Sequence, residues 1–165
     1  MSNIADEVFE DEVEKKPFEF IPNAKQAQFL ASDDDVCMIA GGAGSGKSLV
    51  AIVNMLGLND PHGPRYKMPY YCGLIYRKHY KDLRDLIKKS KEIYPLVDPG
   101  AKWVGGNTLT WTFSSGAQIY FQYFERLDQA ETFFQGQELS LIHCDEIGQF
   151  EDESIMQYAL SRLRD

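Results

Sequence analysis

The sequence predicts an α/β domain built on a mostly parallel sheet flanked by helices, and three observations predict it. Short unbroken apolar runs recur at VCMIAG (36–41), YYCGLIYR (70–77) and LSLIHC (139–144), the pattern of strands covered on both faces. Stretches rich in helix formers separate them, giving a strand–helix alternation. The chain of 165 residues is long enough to bury one core, and 44% hydrophobic with 25% charged residues is an ordinary globular balance.

The elements follow in order. Residues 1–16, MSNIADEVFEDEVEKK, hold six acids against two lysines and read as an acidic tail that cannot build a core, which leaves 17–165 for the domain. That start has neither the basic opening nor the apolar centre of a signal peptide, and no apolar run approaches the ~20 residues that span a bilayer. FEFIPNAKQAQFLAS gives an extended lead-in and a short helix, with Asn23 as its cap. DDD (33–35) is a turn before the first strand, VCMIAG. GGAGSGKS follows, and then a helix to about Leu58. NDPHGPRYKMP is a loop by its turn residues. After the second strand, HYKDLRDLIKKSKEIYP is a helix expected to stop at Pro95. TLTWTF and AQIYFQYF, joined by SSG, read as a hairpin. A short helix near 127–132 precedes the third apolar strand, and EDESIMQYALSRLRD closes the chain as a helix.

Two stretches carry chemistry. Gly41, Gly42, Ala43, Gly44, Ser45, Gly46, Lys47 and Ser48 match G-x-x-x-x-G-K-[ST] at every fixed place, between an expected strand and a helix. Glycines let the backbone turn its N–H groups inward around phosphate oxygens, and the helix start adds positive potential. In such a loop Lys47 reaches the β- and γ-phosphates of ATP and Ser48 places its hydroxyl on Mg²⁺. The second stretch is the end of LSLIHCDE, where Asp145 and Glu146 stand side by side after an apolar strand. Adjacent carboxylates at a strand end need a cation or a reaction. The glycine loop supplies both: Asp145 holds Mg²⁺ through water, and Glu146 polarises the water that attacks the γ-phosphate. An acidic strand end facing solvent would need neither.

A weaker signal lies upstream. Gln26, four residues after Pro22 and preceded by Phe18 and Phe20, has an amide that can pair with the adenine edge. At this distance from the glycine loop it reads as an adenine contact; the alternative is a polar helix residue beside ordinary core aromatics.

Three blocks together, KQAQFLASDDDVCMIAGGAGSGKS, GLIYRKHYKDLRDLI and FQGQELSLIHCDEIGQFEDESIMQYALSRLRD, resemble the ATPase domain of tailed-bacteriophage large terminase subunits. The resemblance runs from about Pro22 to the last residue and implies a P-loop domain of the RecA-like type with an added catalytic glutamate. It implies phosphate and Mg²⁺ binding at residues 41–48, Mg²⁺ at Asp145, catalysis by Glu146 with Lys47, and adenine near Gln26. It also implies a ring of subunits in the host cytoplasm, with double-stranded DNA, the portal protein and the small terminase subunit as partners and no membrane. A helicase-like or recombinase-like ATPase, or a nucleotide-gated assembly module without turnover, are the alternatives.

The chain departs from the family in two ways. Many terminases carry an arginine inside the loop, whereas this loop has none, so Arg77, Arg126, Arg162 and Arg164 are the candidates for a transition-state arginine. The family also continues into a coupling strand and a nuclease domain; the domain is therefore expected to be incomplete at its C-terminal side, without nuclease activity.

Other signals read more simply. Lys81, Arg84, Lys88 and Lys91 share one helix face, either a solvated surface or a contact for DNA phosphates or for the next subunit in a ring. Trp103, Trp111 and Phe113 are expected in the hairpin and core, and His62, His79 and His143 show no ligand spacing or acid/base partner. Cys37, Cys72 and Cys144 are expected as small buried hydrophobes in a reducing compartment, and no Cys/His spacing suits zinc. The net charge of −8 argues against a protein that coats nucleic acid non-specifically, although about half of it sits in the tail and leaves room for a local basic surface.

Overall fold

The computed structural model describes residues 18–42 and 44–163. The acidic tail, Ala43 and Arg164 therefore lie outside the described residues. In chain order the elements are α1 (Ala24–Leu30), α2 (Lys47–Leu56), β1 (Cys72–Arg77), α3 (Tyr80–Val97), β2 (Lys102–Val104), β3 (Thr110–Thr112), β4 (Gln118–Tyr123), α4 (Leu127–Phe134), β5 (Leu141–Cys144) and α5 (Ser154–Leu160). Short 3₁₀ turns sit at Arg65–Lys67 and Ile147–Gln149.

The five strands form one sheet in the order β2-β3-β4-β1-β5. β1 pairs in parallel with β4 and with β5, while β2–β3 and β3–β4 are antiparallel. The fold is α/β, but the expected mostly parallel sheet is corrected to a mixed one. The reason is the predicted hairpin, extended by an unforeseen strand, β2. Strands joined by short turns must run antiparallel, and such a meander supplies half of the pairings.

Helices cover both faces. On one side, Ile52, Met55 and Leu56 of α2 and Leu83, Leu86 and Tyr94 of α3 pack with Ile75, Trp111 and Phe121. On the other, Phe134 of α4 and Ile155 of α5 pack with Leu74, Tyr76 and Phe124. β1 alternates between the two cores, as the period of two along a strand requires. Each of these fully buried side chains contributes about 1.5–3 kcal/mol relative to an exposed one. Among the described residues no helix is long and apolar enough to cross a membrane.

Local rules account for most boundaries. Asn23 caps α1 through a reciprocal pair: its side chain accepts from the Gln26 backbone N–H, and the Gln26 side-chain oxygen accepts from the Asn23 backbone N–H. α2 ends at Gly57 in the left-handed conformation that glycine adopts freely. Helix α3 does not stop at Pro95 but runs through it to Val97. The proline falls in the last turn, where losing one N–H breaks one bond at most and the Asp98 N–H still closes onto the Tyr94 carbonyl. Trp111 is buried as expected and donates its indole N–H to Ser90 Oγ at 2.9 Å.

One predicted strand is absent from the sheet. Residues 36–41 form no ladder, and Val36 and Met38 are 63% and 75% exposed. An apolar run shows a capacity for burial but cannot name its partner. Just before β5, Leu139 makes an isolated parallel bridge with Leu163. Cys37 in this segment is exposed too, contrary to expectation. Cys72 and Cys144 are half-buried against the second core, and burial pushes both thiols up to about 11.

Candidate functional site

The parallel pairing of β1 with β5 fixes where the site falls. Tyr76 stands opposite Cys144, and the Asp145 N–H donates to the Tyr76 carbonyl at 3.0 Å. Arg77, the last residue of β1, and Asp145, the first after β5, are therefore level with each other at the carboxyl end of the sheet. That end is where parallel sheets receive ligands.

The glycine loop reaches α2 through two left-handed residues, Gly44 at φ 76° and Gly46 at φ 79°. A side chain at Gly46 would also collide with Gln26 Nε2, 2.9 Å from the place of its Cβ. Gln26 is buried and donates Nε2 to the Ser45 carbonyl at 3.2 Å. Its carbonyl oxygen is already the acceptor of the α1 cap. Both ends of this amide thus serve the protein, tying α1 to the loop. An adenine edge would meet a side chain already engaged.

Lys47 folds back over the loop, donating Nζ to the carbonyls of Gly41 and Gly42, the latter at 2.9 Å. Ser45 Oγ lies 3.3 Å away. Gly41, Gly42, Gly44 and Ser45 are open to solvent. The loop thus presents an ammonium group, glycine backbone and a helix N-terminus together, which can receive an anion such as phosphate.

Asp145 and Glu146 part company in space. Asp145 is 4% exposed, and its Oδ2 accepts from Arg77 Nη2 at 2.6 Å and Nε at 3.1 Å. The same Nη2 lies 3.3 Å from Ser48 Oγ, so the serine of the loop and the buried acid share one nitrogen. Glu146 turns outward: its side chain is 40% exposed, and its backbone sits at φ 59°, left-handed without being glycine. Such conformations cost about 1–3 kcal/mol and persist where the surroundings impose them. Its Oε2 accepts from Gln149 Nε2 at 2.7 Å, and Oε1 lies 3.8 Å from Arg77 Nη2. One acid is buried against a cation and the other projects at the rim.

The serine hydroxyl and a single carboxylate fit a hydrated Mg²⁺, which takes few protein oxygens. Among the described residues no group of three or more His, Cys, Asp or Glu gathers to hold a metal by itself. The element that sequence reasoning ranked no higher than three others is Arg77. Its signal was its place at the end of a buried strand, as with Asp145. Of the remaining arginines, Arg126 is exposed and paired with Asp128, and Arg162 lies over the Tyr158 ring at 4.8 Å.

Other residues stand apart. His143 packs edge-on against Phe29, and burial lowers its pKa below the usual 6.5 against the raising effect of Asp145. His79 does have an acid beside it, since Nδ1 lies 2.9 Å from Glu125 Oε1. Lys81, Arg84, Lys88 and Lys91 are all exposed on α3, with Lys91 Nζ 5.3 Å from the centre of Trp103. An open cleft of about 620 Å³ lies beside the end of β4, between Tyr80, Tyr123 and Phe133, and shares no residue with the loop or the acid pair.

Compared with known proteins, the chain matches no family model, no curated protein and no solved structure.

Proposed function

We propose that the chain is the ATP-hydrolysing motor domain of a viral DNA-packaging terminase large subunit, a P-loop domain of the RecA-like type with an added catalytic glutamate. One observation carries the nucleotide reading. Ser48, which ends the glycine motif, lies 3.3 Å from Arg77 Nη2, and the same nitrogen holds Asp145 and lies 3.8 Å from Glu146, so the two motifs converge through Arg77 at one end of the sheet although about a hundred residues separate them in sequence. The DNA-packaging reading rests on the sequence resemblance.

Each residue then has a task. The backbone of residues 41–46 surrounds the phosphates, and Lys47 exchanges its carbonyl partners for phosphate oxygens. Ser48 and Asp145 hold Mg²⁺, which neutralises charge developing on the phosphates when bound. Glu146, at the rim and held by Gln149, orients the attacking water and accepts its proton. Gln26 fixes the loop from behind, through Ser45. The partners that follow are double-stranded DNA, the portal protein, the small terminase subunit and further copies in a ring in the host cytoplasm.

A second reading, a nucleotide-gated assembly module without turnover, is favoured by one feature: residues 36–41, which lead into the loop, are not anchored in the sheet. Mg²⁺-dependent ATP hydrolysis across a wide protein concentration range separates the two, with Lys47→Ala and Glu146→Gln alongside. The motor reading expects turnover that rises more steeply than concentration and is lost in both variants. Binding without turnover at any concentration would leave the assembly module.

A further inference from the structure

We infer that Arg77 is a positioning residue that builds the metal side of the site from within the same chain, and is not a mobile arginine aimed at the terminal phosphate. The inference rests on the nucleotide reading above. Every nitrogen of the guanidinium group is engaged. Nε and Nη2 donate to Asp145 Oδ2, Nη2 lies 3.3 Å from Ser48 Oγ, and Nη1 donates to the Asp82 carbonyl at 2.6 Å. That carbonyl belongs to the first turn of α3, so the group is clamped between a helix and a strand end. The residue is 5% exposed.

A guanidinium held in this way cannot swing out without leaving the buried Asp145 carboxylate unpaired, which is costly. It is therefore a fixture. Both of its bonds to Asp145 fall on Oδ2, and among the described residues none falls on Oδ1. This leaves one carboxylate oxygen for a cation or its water shell. The Ser48 contact is the longest of the four and the easiest to give up, since a hydroxyl can turn a lone pair to a metal while Arg77 keeps Asp145. The planar fork explains the choice of arginine over lysine, because three directions must be satisfied at once. At 3.8 Å from Glu146 Oε1, the same charge draws the outer carboxylate towards the site without binding it.

Arg77 thus acts through Asp145 and Ser48, and its loss falls on the metal-dependent part of nucleotide binding. The test titrates wild type, Arg77→Gln, Arg77→Lys and Asp145→Asn with fluorescent ATP and ADP analogues, in Mg²⁺ and in EDTA. Folding is checked by circular dichroism and thermal melts. Wild type binds more tightly in Mg²⁺ than in EDTA. Arg77→Gln loses that gain by roughly tenfold or more, as Asp145→Asn does, for ATP and ADP alike. Arg77→Lys recovers part of the gain, and it decides the matter if Arg77→Gln does not fold. A Mg²⁺ gain left intact, or a loss confined to ATP, would overturn the assignment and make Arg77 a residue of the terminal phosphate. Wild type that binds neither nucleotide in either condition would remove the nucleotide reading itself, and the inference with it.

Discussion

Gly46→Ala is the substitution that reports most on how the loop is held. Gly46 has φ 79°, so alanine there carries the left-handed penalty of about 1–2 kcal/mol. Its Cβ would stand 2.9 Å from Gln26 Nε2, too close for the amide to stay. Moving Gln26 gives up its bond to the Ser45 carbonyl, a further loss of about 0.5–1.5 kcal/mol. Together these come to about 2–3 kcal/mol, or roughly 5–10 °C in Tm for a chain of this size. Gly44→Ala is the internal control. It has nearly the same φ, 76°, but nothing within 4 Å of its Cβ position, so it should carry the first cost alone. Urea denaturation of both variants, of Gln26→Ala and of the Gly46→Ala/Gln26→Ala pair gives the comparison. In the double variant Gln26→Ala should cost about 1 kcal/mol less than in wild type, because the collision is already relieved. Equal losses at Gly44 and Gly46, with an additive double variant, would show that Gln26 does not support the loop.

Two further outcomes follow from the geometry. Asp98 accepts from the N–H and hydroxyl of Ser114 and from the Gly100 N–H; burial alone would raise its pKa, but these bonds outweigh it and hold the carboxyl below the usual 3.8. A lowered pKa contributes stability above the unfolded value and loses it as pH falls through the folded one, so wild type should lose stability below about pH 4 more steeply than Asp98→Asn in acid titrations. Glu146→Asn places a residue that tolerates left-handed backbone at φ 59° and should raise stability by about 1 kcal/mol in thermal melts while abolishing any turnover; a lower Tm would mean that Glu146 is not strained.

The residues of the candidate site were more legible in the sequence than the sheet that holds them. Residues 41–48 announce themselves because the backbone geometry needs glycine where few other residues fit, and Gly44 and Gly46 are indeed left-handed. Asp145 and Glu146 were visible as charge where an apolar strand ends, although only the structure separates the buried acid from the exposed one. Arg77 was visible but not distinguishable from Arg126 or Arg162, because its meaning depends on β1 lying against β5, a pairing between distant parts of the chain. The apolar run at 36–41 misled for the same reason: apolar composition does not name the strand it would pair with, and here it pairs with none. β2 was missed because three residues, KWV, give too little alternation to be read. Gln26 illustrates a different limit, since an amide suited to a base is equally suited to a helix cap and a carbonyl.

The central claim is that the glycine loop receives the phosphates of a nucleotide, and calorimetric titration of ATP into the wild-type chain and Lys47→Ala, with Mg²⁺ present, tests it most directly. The account predicts saturable binding by wild type and a loss of roughly tenfold or more in Lys47→Ala, the ~1.4 kcal/mol or more expected of a charge-assisted contact to phosphate. A wild-type chain that binds no nucleotide, or a Lys47→Ala variant that binds as tightly as wild type, would contradict it.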